Sequence, residues 1–219
     1  AGNVLTLTNQ FGAARLVSEN GAHTFNLPVT TSANGLSIEA ASLAAIAVTQ
    51  PITGPASLIM NPWTSGGGLV TLGADNTYTW PTFLGCGTLR VATLGIGGVP
   101  SPLGASSAAR ANLLLGPGTL HVTAAGATDR GITLQAGTGR ALTLRADADL
   151  VIAGPVHAAS GALIKTGPGT VSLTYPGVNT LTVYESNSDN LQNSGANGDS
   201  PTTGFAGLTI NQGKLVLGA

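Results

Sequence analysis

The feature that most restricts the fold is the recurrence of very short segments in which apolar and polar residues alternate. They are rich in Thr, Val, Leu and Ile and are bounded by Gly, Asn or Pro. Alternation with period two predicts strands whose successive side chains point to opposite faces. Helical spacing is confined to Pro102–Leu115, where Ser106–Ala111 is expected to form a short helical turn, so the chain is predicted to be all-β. The predicted strands are Val4–Leu7, Leu36–Ile38, Leu69–Leu72, Thr88–Val91, Thr119–Val122, Ile132–Leu134, Leu142–Leu144, Leu150–Ile152, Val171–Leu173, Leu208–Ile210 and Lys214–Leu217.

The breaks between these segments distinguish among all-β architectures. Antiparallel sandwiches and barrels favour two-residue Asn-Gly or Asp-Gly turns, and Asn-Gly occurs here only at Asn20-Gly21, Asn34-Gly35 and Asn197-Gly198. Most other breaks are Gly-Thr-Gly, Gly-Pro-Gly or Ala-Gly-Ala. Short strands at this spacing predict a parallel β-helix (β-solenoid) with coils of roughly 20–25 residues, and therefore about 9–10 coils. The crossover rule for parallel strands predicts a right-handed helix.

Composition and charge exclude several classes of protein. Charged residues make up 8% of the 219 residues, against roughly 25% in an average soluble domain. The chain is nevertheless 42% hydrophobic with a net charge of -1, so it can bury a core and is not expected to be disordered. Eight Lys and Arg spread among nine acids predict no basic face for a nucleic acid. No apolar run is long enough for a membrane span, and Cys86 is alone, so no disulfide framework exists within the chain.

A longer self-similarity divides the predicted solenoid. Ile52–Pro55 corresponds to Ile152–Pro155, and the run from Ser65 to Leu72 corresponds to Thr166–Leu173, at an offset of about one hundred residues. We therefore predict a single solenoid over residues 1–219, built from two approximate super-repeats, about 1–110 and 111–219. A polar loop insertion at 184–206 interrupts the second one.

The same residues carry a resemblance to a known family. Ala162–Leu173 (Ala-Leu-Ile-Lys-Thr-Gly-Pro-Gly-Thr-Val-Ser-Leu) and Asn76–Thr79 running into Gly87–Val91 resemble the autotransporter-associated β-strand repeat, also called the passenger-associated transport repeat. The resemblance implies a right-handed parallel β-helix in a large bacterial surface or secreted protein, where such repeats act as a stalk and aid export. Trp80-Pro81 stands where the family pattern has Gly-Gly.

Departures from the pattern are where an individual binding function is expected. Aromatic residues cluster near Trp80, where they either stack on sugars or cover one side of the helix. The polar insertion is a solvated loop, a contact surface for another chain, or a calcium site, because its oxygen ligands suit Ca²⁺ but lack the spacing of a calcium loop. The predicted contact surface is Tyr78, Trp80, Phe83, Tyr184, Glu185, Asp189, Asn190 and Asp199.

No catalytic, cofactor or metal site is predicted. His23, His121 and His157 lie far apart without paired ligand spacing and are expected at solvent-facing positions. Cys86 has no His or Asp near it in sequence and is expected to be a small buried hydrophobe. Asp147 and Asp149 share one strand face and could form a carboxylate pair, but a solvated turn beside Arg145 is the simpler interpretation.

These features predict an extracellular structural segment, a stalk or filament building block on a bacterial surface, rather than an enzyme. The alternative is a carbohydrate-binding or carbohydrate-cleaving β-helix, or an adhesin passenger. Strand-like sequence at Val4–Leu7 and Leu215–Leu217 lies near both ends, so further β-helical repeats or identical subunits are expected to stack there. Surface glycans are candidate partners.

Overall fold

The computed structural model of the chain describes residues 3–62, 67–137, 140–179 and 208–217. Their named strands all pair in parallel and build a β-solenoid, as the period-two segments predicted. Every predicted segment lies in or overlaps an observed strand. Among the described residues, the antiparallel pairing is confined to a bridge between Asn76 and Ser101, and no helix has the length and apolar character needed to cross a membrane.

Three faces make up the solenoid, and the strands follow them in the same order from coil to coil, although the described coils that contain residues 82–91 and 113–122 have no first-face strand. The first face contains β1 (Leu5–Leu7), β4 (Val29–Thr31) and β7 (Ile52–Thr53), then β14 (Gly126–Thr128), β17 (Leu150–Ile152), β20 (Thr170–Leu173) and β22 (Lys214–Leu217). The second face contains β2 (Ala14–Ser18), β5 (Leu36–Ala40), β8 (Leu58–Met60), β10 (Thr82–Leu84), β12 (Leu113–Leu115), β15 (Ile132–Gln135) and β18 (Val156–Ser160). The third face contains β3 (Gly21–Phe25), β6 (Ala44–Val48), β9 (Leu69–Leu72), β11 (Thr88–Val91), β13 (Thr119–Val122), β16 (Ala141–Ala146), β19 (Ala162–Thr166) and β21 (Leu208–Ile210).

Parallel register explains how such short strands bury a core. Leu36 pairs with Leu58, and Ile38 with Met60, so the inward side chains of one coil lie directly on those of the next. All four are almost completely buried. Each strand is only a few residues long, but the stack of inward columns forms one continuous apolar interior.

The coil number predicted from sequence is wrong. The stack has about 7 coils, because some coils are much longer than the predicted 20–25 residues. The step from Leu36 to Leu58 is 22 residues, but the step from Thr82 to Leu113 is 31 and that from Leu163 to Leu208 is 45. The division into two super-repeats stays a prediction.

The 31-residue coil owes its length to a loop on the first face, between β7 and β14. The loop lies between β11 and β12 in the chain. Thr128 Oγ1 donates to Gly95 O on its far side, Asn76 N donates to Ser101 O on its near side, and Thr77 N in that earlier coil donates to Ile52 O. The loop and the segment at 76–77 therefore span the gap between the two first-face sheets together. A 3₁₀ turn at Arg110–Asn112 follows and leads directly into β12. It is the expected short helical turn, displaced toward the strand.

Lys165 joins the last two described coils from inside the solenoid. Its side chain points inward from β19 and is completely buried. Nζ donates to Thr166 O (2.9 Å), Gly167 O (2.7 Å) and Gln212 O (3.2 Å), and the third of these acceptors belongs to the following coil. Burial lowers the pKa of the Lys165 ammonium. In the Lys-Thr-Gly segment, main-chain carbonyl oxygens therefore hold the Lys165 ammonium group at a corner of the coil.

We expect Lys165→Met to loosen the coil that contains β22. The substitution keeps most of the side-chain volume but removes the ammonium donor from three carbonyl oxygens, of which that of Gly167 is buried, and a buried acceptor without a donor costs about 1–3 kcal/mol. Because each coil contacts only its neighbours, the loss should appear as faster amide hydrogen exchange in Lys214–Leu217, with Thr119–Val122 unchanged. Lys214→Met, at an exposed position, is the control. Unchanged exchange in β22 would contradict the role given to Lys165.

Candidate functional site

Tyr78 lies in the core and not on the predicted contact surface. Only 1% of the residue is exposed, and its hydroxyl group forms a 2.7 Å hydrogen bond with Thr82 Oγ1. Burial raises the pKa of the Tyr78 hydroxyl well above its usual range. The ring fills the interior beside an inward-facing threonine, so Tyr78 is withdrawn from the contact surface.

Trp80 and Phe83 remain on the outside of the solenoid. Trp80 is 52% exposed. Phe83 is half-buried at the outward position of β10, in register with Ile59 on one side and Leu114 on the other. The other predicted contact residues, Tyr184, Glu185, Asp189, Asn190 and Asp199, lie outside the described residues, as does the insertion at 184–206 with its calcium hypothesis.

A buried arginine organises the loop on the first face. Arg130 is 2% exposed and donates from both terminal nitrogens to the loop. Nη1 donates to Ser106 O and Ser106 Oγ, at 3.1 and 2.9 Å. Nη2 donates to Ile96 O, Ser101 Oγ and Gly104 O, at 3.2, 3.2 and 2.8 Å. One guanidinium group thus fixes backbone positions that lie several residues apart in the loop.

Side chains of the neighbouring coils also form hydrogen bonds with the loop. Asp129 Oδ1 accepts a hydrogen bond from Gly97 N at 2.7 Å. Asn76, which is buried, accepts from Ile52 N through Oδ1 and donates to Pro102 O through Nδ2, both at 2.7 Å. The loop is therefore a built part of the fold, and it exposes Ile96 and Val99 at its surface.

The histidines are not brought together. His23 and His121 lie on the third face, four strands apart, and His157 lies on the second face. The described residues contain no group of three or more His, Cys, Asp or Glu arranged to hold a metal ion. Cys86 is half-buried, with Sγ 3.2 Å from Asn61 O.

Asp147 and Asp149 have separate partners. Asp147 Oδ2 lies 2.6 Å from His121 Nε2, and Oδ1 accepts from Arg145 Nε at 2.9 Å. The hydrogen bonds from His121 and Arg145 lower the pKa of the Asp147 carboxyl. Asp149 Oδ1 accepts from Thr170 N at 2.7 Å. A general acid needs a raised pKa, so this arrangement favours a structural role for Asp147.

Stacking brings together basic residues that sequence reasoning treated as scattered. Arg90 pairs in register with His121, and His121 with Arg145, on the third face. The threonines two positions earlier, Thr88, Thr119 and Thr143, form a parallel column. The missed signal is a triplet, Thr-Leu-Arg, Thr-Leu-His and Thr-Leu-Arg, that recurs in three successive coils.

The described cavity is the interior of the solenoid itself. It has a volume of only about 10 Å³, and leucine, isoleucine and valine side chains line it together with Lys165. An apolar space without converging polar groups lacks the chemistry of a substrate pocket. The outer faces therefore provide the candidate sites.

Comparison with known proteins gives one informative similarity. Over 103 residues the chain is 44% identical to the Adhesin BmaC autotransporter of Brucella suis biovar 1 (strain 1330). The match covers 46% of this chain and 3% of that relative, so the chain corresponds to a small part of it. No protein-family model matches the chain, and no solved structure matches it significantly. The resemblance to the autotransporter-associated repeat therefore stays a prediction at the level of the specific repeat family.

Proposed function

We propose that this chain is a structural, non-catalytic stretch of solenoid in a longer bacterial surface protein, where further coils continue the stack. The observation that carries the proposal is the uninterrupted parallel stacking of the second and third faces over one apolar interior. Such a stack has no intrinsic limit, because each coil presents to the next the same row of main-chain groups that it received. Similarity to an adhesin autotransporter supports a place in a surface passenger region.

The outermost strands support continuation of the stack. In the described structure β1, β2 and β3 lie at one edge of their sheets, and β18, β21 and β22 at the other. Large apolar side chains are exposed near both edges, including Phe11 at 93%, Val17, Ile210 and Leu217. Unpaired strand edges beside exposed apolar residues favour pairing with further strands.

The end-pairing proposal is tested by the mass of the isolated chain in solution. We expect the chain to associate end to end, so that its mean mass by analytical ultracentrifugation rises with concentration and resists high salt. Val17→Lys should weaken association, because lysine on an edge strand opposes pairing. Val151→Lys is the matched control, since Val151 is an exposed valine on β17, an interior strand of its sheet. A monomer of constant mass at every concentration would refute pairing at the ends.

The non-catalytic part of the proposal has its own test. Asp147 and Asp149 each have a hydrogen-bond partner within the chain, which supports structural roles for both carboxylates. We expect no release of reducing ends from acidic or neutral polysaccharides by the chain. Depolymerisation that disappears in Asp149→Ala would establish the enzymatic alternative instead.

A further inference from the structure

The third face carries a column of basic side chains that the proposed structural role does not use. We define the basic column as Arg90, His121 and Arg145, which occupy equivalent outward positions of β11, β13 and β16. Neighbouring parallel strands lie about 4.8 Å apart. The two arginines, separated by the strand that carries His121, are therefore roughly 10 Å apart along the solenoid.

The two arginines of the basic column keep hydrogen-bond donors that no contact within the described residues uses. Arg90 is exposed, and within the described part of the chain no hydrogen bond or ion pair engages its side chain. Half of the Arg145 side chain is exposed (51%), and Asp147 engages only its Nε. Asp147 also binds His121 and is the carboxylate in this group. The hydrogen bonds of Asp147 position the His121 and Arg145 side chains, and the charge of Arg145 offsets that of the carboxylate.

A second column adds neutral hydrogen-bonding groups. Thr88, Thr119 and Thr143 lie in register beside the basic column and are all half-buried. The outward residues that continue these two columns toward the ends, Ala45, Ala47, Leu69, Thr71, Ile164 and Thr166, include no aromatic ring and no acid. The face is therefore mildly basic and rich in hydroxyl groups.

We infer that this face binds a linear acidic polysaccharide that lies along the solenoid axis. An arginine donates two parallel hydrogen bonds to a carboxylate or a sulfate, and the distance between Arg90 and Arg145 is comparable to the length of a disaccharide. A polymer with one acidic group in every disaccharide can therefore meet both arginines, while its hydroxyl groups face the threonine column. Nucleic acid fits less well, because single strands need aromatic residues for base stacking.

The inference is independent of the proposed structural role and is tested by binding of the 219-residue chain to immobilised chondroitin sulfate and to hyaluronan. Both carry a carboxylate in every disaccharide, and only the first is sulfated, so the two arms separate sulfate from carboxylate recognition. We expect Arg90→Gln to weaken binding about tenfold, as expected for loss of one charge-assisted bidentate contact. The double variant Arg90→Gln/Arg145→Gln should lose measurable binding.

Arg110→Gln is the matched control, because it removes the same charge at an exposed position in the 3₁₀ turn, away from the third face. Its affinity should stay within about twofold of the parent chain. Circular dichroism checks that each variant keeps the β fold. Three results would overturn the inference: no binding to either polymer, an equal loss in Arg110→Gln, or equally tight binding of oligothymidine with the same dependence on Arg90.

Discussion

Replacing Arg130 with methionine should destabilise the long coil more than any other single change discussed here. The guanidinium group donates to the carbonyl oxygens of Ile96, Gly104 and Ser106 from a nearly inaccessible position. Each hydrogen bond from a charged donor contributes about 1.5–3 kcal/mol, so losing those to three carbonyl oxygens should cost at least about 3 kcal/mol. The loss should be local at first, since the loop can detach while the coils on either side stay paired.

Hydrogen exchange gives the sharpest readout for Arg130→Met. Gly98 N donates to Ser106 O and Ala105 N donates to Tyr78 O, so both amides report directly on whether the loop is closed. Both amides should exchange much faster in the variant, and urea unfolding should begin at a lower urea concentration. Arg110→Met, at an exposed arginine, should leave both observations unchanged.

A second variant separates charge from shape. Arg130→Lys keeps the positive charge but has one ammonium group in place of two terminal nitrogens that point to different parts of the loop. We expect it to recover less than half of the lost protection, because a compact point charge cannot reproduce a planar fork. Full recovery would mean that charge alone holds the loop, and the geometric account of Arg130 would then be wrong.

Local alternation was sufficient to predict the architecture but not its irregularities. Segments such as Thr119–Val122 were recognised because their inward residues are aliphatic and their outward ones polar. β3 was missed because Gly21–Phe25 is largely exposed and has no apolar alternation. The coil number was overestimated because a sequence period does not reveal how many residues a loop adds. The loop between β11 and β12 is held by Arg130, far downstream in sequence.

The candidate surfaces were harder to predict than the fold. The cluster of aromatic residues near Trp80 predicts an exposed Tyr78, whereas the Tyr78 hydroxyl has a buried hydrogen-bond partner in Thr82. Eight Lys and Arg spread among nine acids predict no basic face, yet Arg90, His121 and Arg145, which are 31 and 24 residues apart, form a column. In a solenoid such distances are one coil, so residues that are scattered in sequence can form a continuous column. Charge counting along the chain misses this, and comparison of equivalent positions in successive coils finds it.

Substitution of Gly169 by alanine should test the coil-to-coil spacing directly. A Cβ atom at Gly169 would lie 2.1 Å from Ala148 O and 2.3 Å from Ala148 C, both main-chain atoms of the preceding coil. Neither atom can move without separating the coils. The backbone of Gly169 is not in the left-handed region, unlike that of Gly167 (φ 81°), so the expected cost is steric. We expect a loss of about 3 kcal/mol, the upper part of the usual range for overpacking.

Gly12→Ala is the matched control for this steric argument. A Cβ atom at Gly12 would meet nothing within 4 Å, so its stability should change by less than about 0.5 kcal/mol. In Gly169→Ala, amides of β17 and β20 should lose protection while those of β5 and β8 keep theirs, because strain in a solenoid acts on neighbouring coils. If Gly169→Ala and Gly12→Ala have the same melting temperature, close approach of the coils at Gly169 does not limit their stacking. If Gly169→Ala alone is destabilised, the second glycine of the Lys-Thr-Gly-Pro-Gly segment is required because the main chain of the preceding coil occupies the space of a side chain.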